Sequence, residues 1–318
     1  MEYKCKTTQE LNDEEFAQIT DMFNRIMDRE ADVEFMRKQY SDNPFGYSYH
    51  VLLYEEGQVI GLSSYVPAWF WYQDKKVVFV CGGDTMIEKK YRDFFVFFDL
   101  IKHAHKYLKA NGVAMNYGYP NDNSFPVLVK GKLTKVIGKM HTYVLPYRIG
   151  GVKPGLGWLN WASMLFCRCW VGCSCLFSSK KVHKFVIHKD EESYNPSRYQ
   201  RFDGDYGLGQ LKHGELHYKV KEHEGVRTAF IIDVSPKSSR NYVDAVWYLL
   251  KHHSKEFDLI LYPGELPFKV TGMVRLPQKV EPKNFNVTGN ILDKTVLDEK
   301  VIYNIANWDT NLSNYDLI

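Results

Sequence analysis

Two stretches of this 318-residue chain place charge and hydroxyls where a strand gives way to a helix. In Met86-Ile87-Glu88-Lys89-Lys90-Tyr91-Arg92-Asp93 the helix follows at once. The free N–H groups of a helix start form a natural anion site. Asp233-Val234-Ser235-Pro236-Lys237-Ser238-Ser239-Arg240 is a second such junction, offering two cations and hydroxyls, although an ordinary Ser-capped helix explains it equally well. Neither carries glycine. Cys167, Cys169, Cys173 and Cys175 would not share one helical face and lack the pair spacing of a structural zinc site, so buried thiols are expected and no metal. His103 and His105 lie two apart on a helix and face different ways, while His252-His253 sit at a helix end, where solvated histidines are common.

The elements that must position these residues follow from periodicity and turn chemistry. A strand over 2–7 precedes a helix opened by Asn12 and acids, in which Phe16, Ile19, Phe23 and Ile26 recur at helical spacing. A short helix at 33–40 ends at Ser41-Asp42-Asn43-Pro44. Strands at 47–54, 59–72 and 77–86 form an antiparallel meander, with Glu55-Glu56-Gly57-Gln58 as a hairpin turn. Phe94, Phe97/Phe98, Ile101, Ala104 and Tyr107/Leu108 mark an amphipathic helix ended by Asn111-Gly112. A strand at 113–119, a helix at 122–130 and a strand at 135–146 complete a meander that turns into a β-α-β crossover.

Residues 149–180 interrupt this plan with a Gly-rich link and an apolar, Cys-rich helix over 158–177. That helix is either packed between domains or laid on a membrane surface, with Trp158 and Trp161 at one end and Lys180, Lys181 and Lys184 beyond the other. A span is disfavoured, because Arg168 would sit near the bilayer centre. From 181 a second unit repeats strand–strand–helix–strand: 216–222, 228–234, a helix at 238–251 with Tyr242/Val243, Val246/Trp247 and Leu249/Leu250 inward, then 257–262. Later strands are expected at 270–276 and 285–292.

Composition bounds the possibilities. Charged residues are 25% and hydrophobic ones 45%, which is globular composition, and the net charge of +3 excludes an electrostatic nucleic-acid binder. Residues 1–16 hold no basic stretch followed by an apolar run, which predicts a cytoplasmic protein, membrane-associated only through 158–177.

With Asn43-Pro44-Phe45-Gly46, Asp84-Thr85, Tyr91-Arg92, Pro120-Asn121-Asp122-Asn123-Ser124 and Trp308-Asp309 in view, residues 1–148 resemble the GNAT acyltransferases, in particular the tandem type of bacterial polysaccharide gene clusters. The second half resembles them more loosely. The resemblance implies an α/β (α+β) protein of two GNAT-like mixed-sheet domains in tandem, the second divergent: 1–148, a link and helical segment at 149–180, and 181–318.

It also implies CoA-dependent acetyl transfer to the amine of a small molecule, such as an amino sugar or sugar nucleotide, by direct attack. Asp84 would be the base, with Tyr119 and Asn121 nearby in the reaction. Met86, Ile87, Arg92, Asp93, Phe94, Phe95, Asn123 and Ser124 would hold acetyl-CoA. The usual tyrosine of the 120–125 stretch is here Phe125, and Tyr117, Tyr119 or Tyr143 could take its place as proton donor. The family turn reads Arg/Gln-x-x-Gly-x-Gly/Ala; this chain has Arg92-Asp93-Phe94-Phe95-Val96-Phe97, with phenylalanine at the central glycine position and a carboxylate beside the phosphates. A GNAT-fold binding or scaffold protein without catalysis, and a Fem-type aminoacyl transferase using aminoacyl-tRNA, are the other readings.

Overall fold

Asn12 accepts from the Glu15 backbone N–H while Glu15 reaches back to the Asn12 backbone, a capping box that starts the first helix where the acids predicted it. Comparable local chemistry sets the hairpins: Glu56 and Gly57 have φ of 50° and 81°, and Glu224 and Gly225 have 51° and 78°. Both pairs occupy the left-handed region that a tight two-residue hairpin requires.

The structure, a computed structural model, describes residues 1–200, 204–281 and 285–315. In chain order the elements are β1 (Glu2–Thr7), α1 (Asp13–Met27), α2 (Val33–Ser41), β2 (Tyr49–Glu55), β3 (Gln58–Tyr72), β4 (Lys75–Ile87), α3 (Phe94–Ala110), β5 (Met115–Gly118), α4 (Ser124–Lys130) and β6 (Lys135–Pro146). There follow α5 (Ile149–Val152), α6 (Asn160–Phe177), β7 (Ile187–Lys189), α7 (Glu191–Tyr199), β8 (Gly207–Leu211), β9 (Gly214–His223), β10 (Val226–Ser235), α8 (Ser239–His252), β11 (Leu259–Gly264), β12 (Val274–Arg275), β13 (Phe285–Ile291) and α9 (Glu299–Ile302).

Two compact units form, and they interleave along the chain. Unit 1 comprises Met1–Gly138, Val186–Asp203 and Asn286–Asn307; unit 2 comprises Lys139–Phe185, Gly204–Phe285 and Trp308–Ile318. Unit 1 therefore takes two segments from the half that a division at 148 and 181 assigns to the second domain.

In unit 1 the strands run β1-β2-β3-β4-β5-β13, with β7 added to the far end of β3. All neighbours are antiparallel except β4 and β5, which are parallel. Phe16, Ile19, Met22, Met36 and Tyr40 of α1 and α2 pack with Leu52, Leu62 and Met86 on one face. Leu100, Ala104 and Leu108 of α3 pack with Val51, Leu53, Val80 and Ile87 on the other.

Unit 2 runs β6-β11-β10-β9-β8, with β12 beside β6. Its core joins Tyr242, Val243, Val246 and Leu249 of α8 to Ala229, Ile231, Ile260 and Tyr262 of the sheet, and Cys167 and Val171 of α6 to the same cluster.

Several expectations need correction. Phe94 and Trp247 are not inward: they are exposed, because each lies at the edge of its helix's apolar stripe. The thiols are not uniformly buried, since Cys169 and Cys173 are exposed on α6. The strand expected over 270–276 shrinks to Val274–Arg275. The segments β7, α7 and β8 went unforeseen; α7 carries Pro196 within it, the residue a periodicity reading treats as a breaker.

Candidate active site

The two parallel strands of unit 1 stay together for only three residue pairs, the last being Cys81 with Tyr117. Beyond it β4 continues to Ile87, paired only with β3, while β5 ends at Gly118. The sheet thus opens between β4 and β5. Gly82 and Gly118 meet at the opening, where a Cβ on Gly118 would lie 3.8 Å from the Gly82 backbone nitrogen. Opposite Ser64, β4 carries two residues, Gly83 and Asp84, a bulge that re-aims the strand.

Asp84 is half-buried in this bulge. One of its oxygens accepts from Gln39 Nε2 at 2.9 Å and from the Tyr40 hydroxyl at 3.1 Å, both on α2. Burial and the Asp84 charge push the Tyr40 phenol well above its ordinary range, so it stays a donor. Behind Tyr40 lies a buried chain. Tyr40 bonds Ser64, Ser64 Oγ lies 2.9 Å from His50 Nδ1, and His50 Nε2 lies 2.9 Å from Thr8 Oγ1. Burial holds His50 neutral by pushing its imidazole down to about 3, which leaves the ring one donor and one acceptor. Neutral His50 accepts at one nitrogen and donates at the other, linking Thr8 to Ser64 and, through Ser64, to Tyr40. The relay fixes the carboxylate's position from behind.

The neutral histidines also set a pH dependence. Burial pushes His105, between the side-chain amides of Asn116 and Asn290, down to about 4. The unfolded chain protonates both rings near 6.5, so it binds more protons than the native state below that pH. Stability is therefore full above 6.5 and falls as pH drops toward 4. Urea midpoints measured across that window should decline, and the double variant His50→Gln, His105→Gln should show a shallower slope; a midpoint independent of pH in the parent would contradict this.

The β4–α3 turn forms the other wall. Lys89 and Lys90 are exposed, neither ion-paired among the described residues, and Glu88 is taken up by Arg25 at 2.6 Å. Arg92 is exposed; its Nε donates to the Ile87 carbonyl at 2.8 Å, tying the turn to the strand end. Asp93 caps α3, accepting from the Phe95 N–H at 2.7 Å. The N–H groups of Phe94 and Val96 take no partner among the described residues. Phe94 and Phe95 are 47% and 71% exposed, so their rings lie outside the core.

The remaining sequence-predicted residues divide. Met86 and Ile87 are buried on opposite faces of the sheet, so only their backbone is available to a ligand. Tyr119 stands edge-on to buried Tyr117, with ring centroids 6.1 Å apart. Asn121 is engaged locally: its side-chain oxygen accepts from the backbones of Asn123 and Ser124 and from Ser124 Oγ at 3.0 Å, capping α4. Tyr143 belongs to the core of unit 2. A depression of about 440 Å³ lined by Lys109, Asp293, Lys294 and Thr295 lies at the other end of α3 and shares none of these residues. Among the described residues no cluster of His, Cys, Asp or Glu is placed to hold a metal.

Sequence reading passed over Gln39, Tyr40, Ser64, His50 and the glycines at 82, 83 and 118. A usable signal for the last existed: Gly-Gly inside a strand marks a bulge or a close backbone approach.

Unit 2 repeats the opening and closes it. Its parallel strands β10 and β11 also stay together for three pairs, ending at Phe230 with Leu261, and β10 bulges between Ile231 and Asp233. Asp233 stands three residues past the last pair, as Asp84 does in unit 1. There the likeness stops. Asp233 is buried in an ion pair with Lys237, which also lies 3.4 Å from Asp309, and Asn311 donates to both carboxylates at 3.1 and 3.2 Å. The 308–315 segment crosses the diverging strands, bridging Asn311 to Gly264.

No protein-family model and no curated protein matches the chain. Solved structures do. A probable N-acyltransferase from Enterococcus faecalis superposes with a TM-score of 0.58 at 12% identity, covering 92% of this chain and 73% of that one. A GCN5-related N-acetyltransferase from Anabaena variabilis gives 0.59 at 14% identity, covering 92% and 73%. One from Kribbella flavida gives 0.56 at 10%, covering 92% and 72%. The chain has the mixed α/β fold of the GCN5-related N-acetyltransferases.

Proposed function

We propose that unit 1 is a CoA-dependent N-acyltransferase acting on the amine of a small molecule, with Asp84 as its base. The observation that carries this reading is the bulged, relay-backed Asp84 at the mouth of the β4–β5 opening, beside a helix start flanked by three cations. That turn fits a diphosphate: Lys89, Lys90 and Arg92 outweigh the Asp93 carboxylate, and two first-turn N–H groups are uncommitted. Acetyl-CoA, when bound, supplies the activated acyl group as a thioester. Asp84 takes the proton from the incoming ammonium group, leaving the nitrogen lone pair free to attack. Backbone amides of β4 beyond Cys81 can polarise the acyl carbonyl, and Tyr119, the phenol immediately past the end of β5, is assigned to protonate the departing thiolate. An amino sugar or sugar nucleotide is the acceptor class that the sequence resemblance suggests. Unit 2 is read as structural, because Asp233 is neutralised by Lys237 and its opening is filled.

Calorimetric titration with acetyl-CoA tests the reading directly: one site per chain is expected. No heat at millimolar ligand would favour the second reading, a binding or scaffold protein, which Phe95 and Asp93 at the turn support.

A further inference from the structure

The outward face of α6 is built the wrong way round for water. One side of the helix packs Cys167, Val171 and Ser174 into unit 2. The opposite arc carries Trp161, Leu165, Phe166, Cys169, Trp170, Cys173, Leu176 and Phe177, all exposed. Trp161 is 66% exposed, Leu176 81% and Phe177 76%, and Trp158 just before the helix is 71% exposed. Arg168 alone brings charge to this arc, and it is drawn to the edge by the Tyr147 hydroxyl at 3.0 Å. A surface helix of a soluble protein turns polar residues outward, and a contiguous apolar face of this kind marks an interaction surface.

Charge selects the occupant. Residues 123–189 contain eleven Lys and Arg and no Asp or Glu, in a chain whose net charge is only +3. Lys153 before the helix and Lys180, Lys181 and Lys184 after it are exposed. An apolar face with tryptophans, bracketed by lysines, is the composition of a helix lying in the interface of an anionic bilayer. No helix among the described residues is long and apolar enough to cross a membrane.

We infer that α6 docks unit 2 onto the surface of an anionic membrane, its aromatic arc entering the headgroup boundary and its flanking lysines meeting lipid phosphates and carboxylates. The test is flotation of the full chain with phosphatidylcholine vesicles containing about 30 mol % phosphatidylserine, against pure phosphatidylcholine. The chain should float with the anionic vesicles, and its tryptophan emission should shift to the blue. The triple variant Trp161→Ser, Leu165→Ser, Phe166→Ser should stay in solution. Lys180→Glu, Lys181→Glu, Lys184→Glu, which leaves the apolar arc intact, should weaken binding on the order of 100-fold. Failure of the parent chain to float, or flotation unchanged in both variants, would overturn the inference. So would light scattering that shows a dimer dispersed by the serine variant, since a second copy would then be what covers the arc.

Discussion

Asp84→Asn is expected to lower turnover by about 100- to 10,000-fold, the range that a positioned general base contributes. Acetyl-CoA affinity should hardly change, because the cations and helix start proposed to hold the diphosphate lie on the β4–α3 turn rather than at Asp84. Asparagine keeps a carbonyl oxygen to accept from Gln39 and Tyr40, so the relay behind it survives and thermal stability should stay near that of the parent. The split between kcat and cofactor affinity, read by steady-state kinetics and calorimetry on the same preparation, separates a base from a merely structural carboxylate. Equal turnover in the variant would remove Asp84 from the chemistry.

Lys237→Met should destabilise the protein by about 3–5 kcal/mol, the usual result of leaving a buried charge without its partner. Lys237 is 6% exposed and lies between Asp233 and Asp309, which are 2% and 6% exposed. Removing the ammonium leaves two carboxylates close together, with the Asn311 amide donating to both. The penalty should ease toward acid pH, where protonating one carboxylate relieves the repulsion, so the gap between the urea midpoints of variant and parent should narrow. The double replacement Lys237→Met, Asp233→Leu should restore more than half of the loss. A midpoint in Lys237→Met equal to the parent's would show that the ion pair contributes nothing net.

Local chemistry made many of the elements readable in advance. The strand at 135–146, the capped helix from Asn12 and the hairpin at Glu56-Gly57 are set by alternation, capping and positive φ, all of which act over a few residues. The strand-to-helix junction at 86–93 was readable for the same reason. The relay behind Asp84 was not, because Thr8, Tyr40, His50 and Ser64 come from four separate segments, brought together only by the register of β2, β3 and β4 and the packing of α2. Periodicity names the side of a strand a residue occupies, not the strand it will face. The interleaving of the units was hidden likewise: nothing local in residues 286–291 says that they pair with 115–118.

That interleaving has a cost during synthesis on the ribosome. Unit 1 lacks its β13 edge until residue 291 has emerged, and the Asp233 and Lys237 pair of unit 2 has no Asp309 or Asn311 until some twenty residues later still. Half-made chains therefore hold two open sheets and a bare aromatic helix at once, a state in which chaperones have reason to bind and slow translation gives no protection.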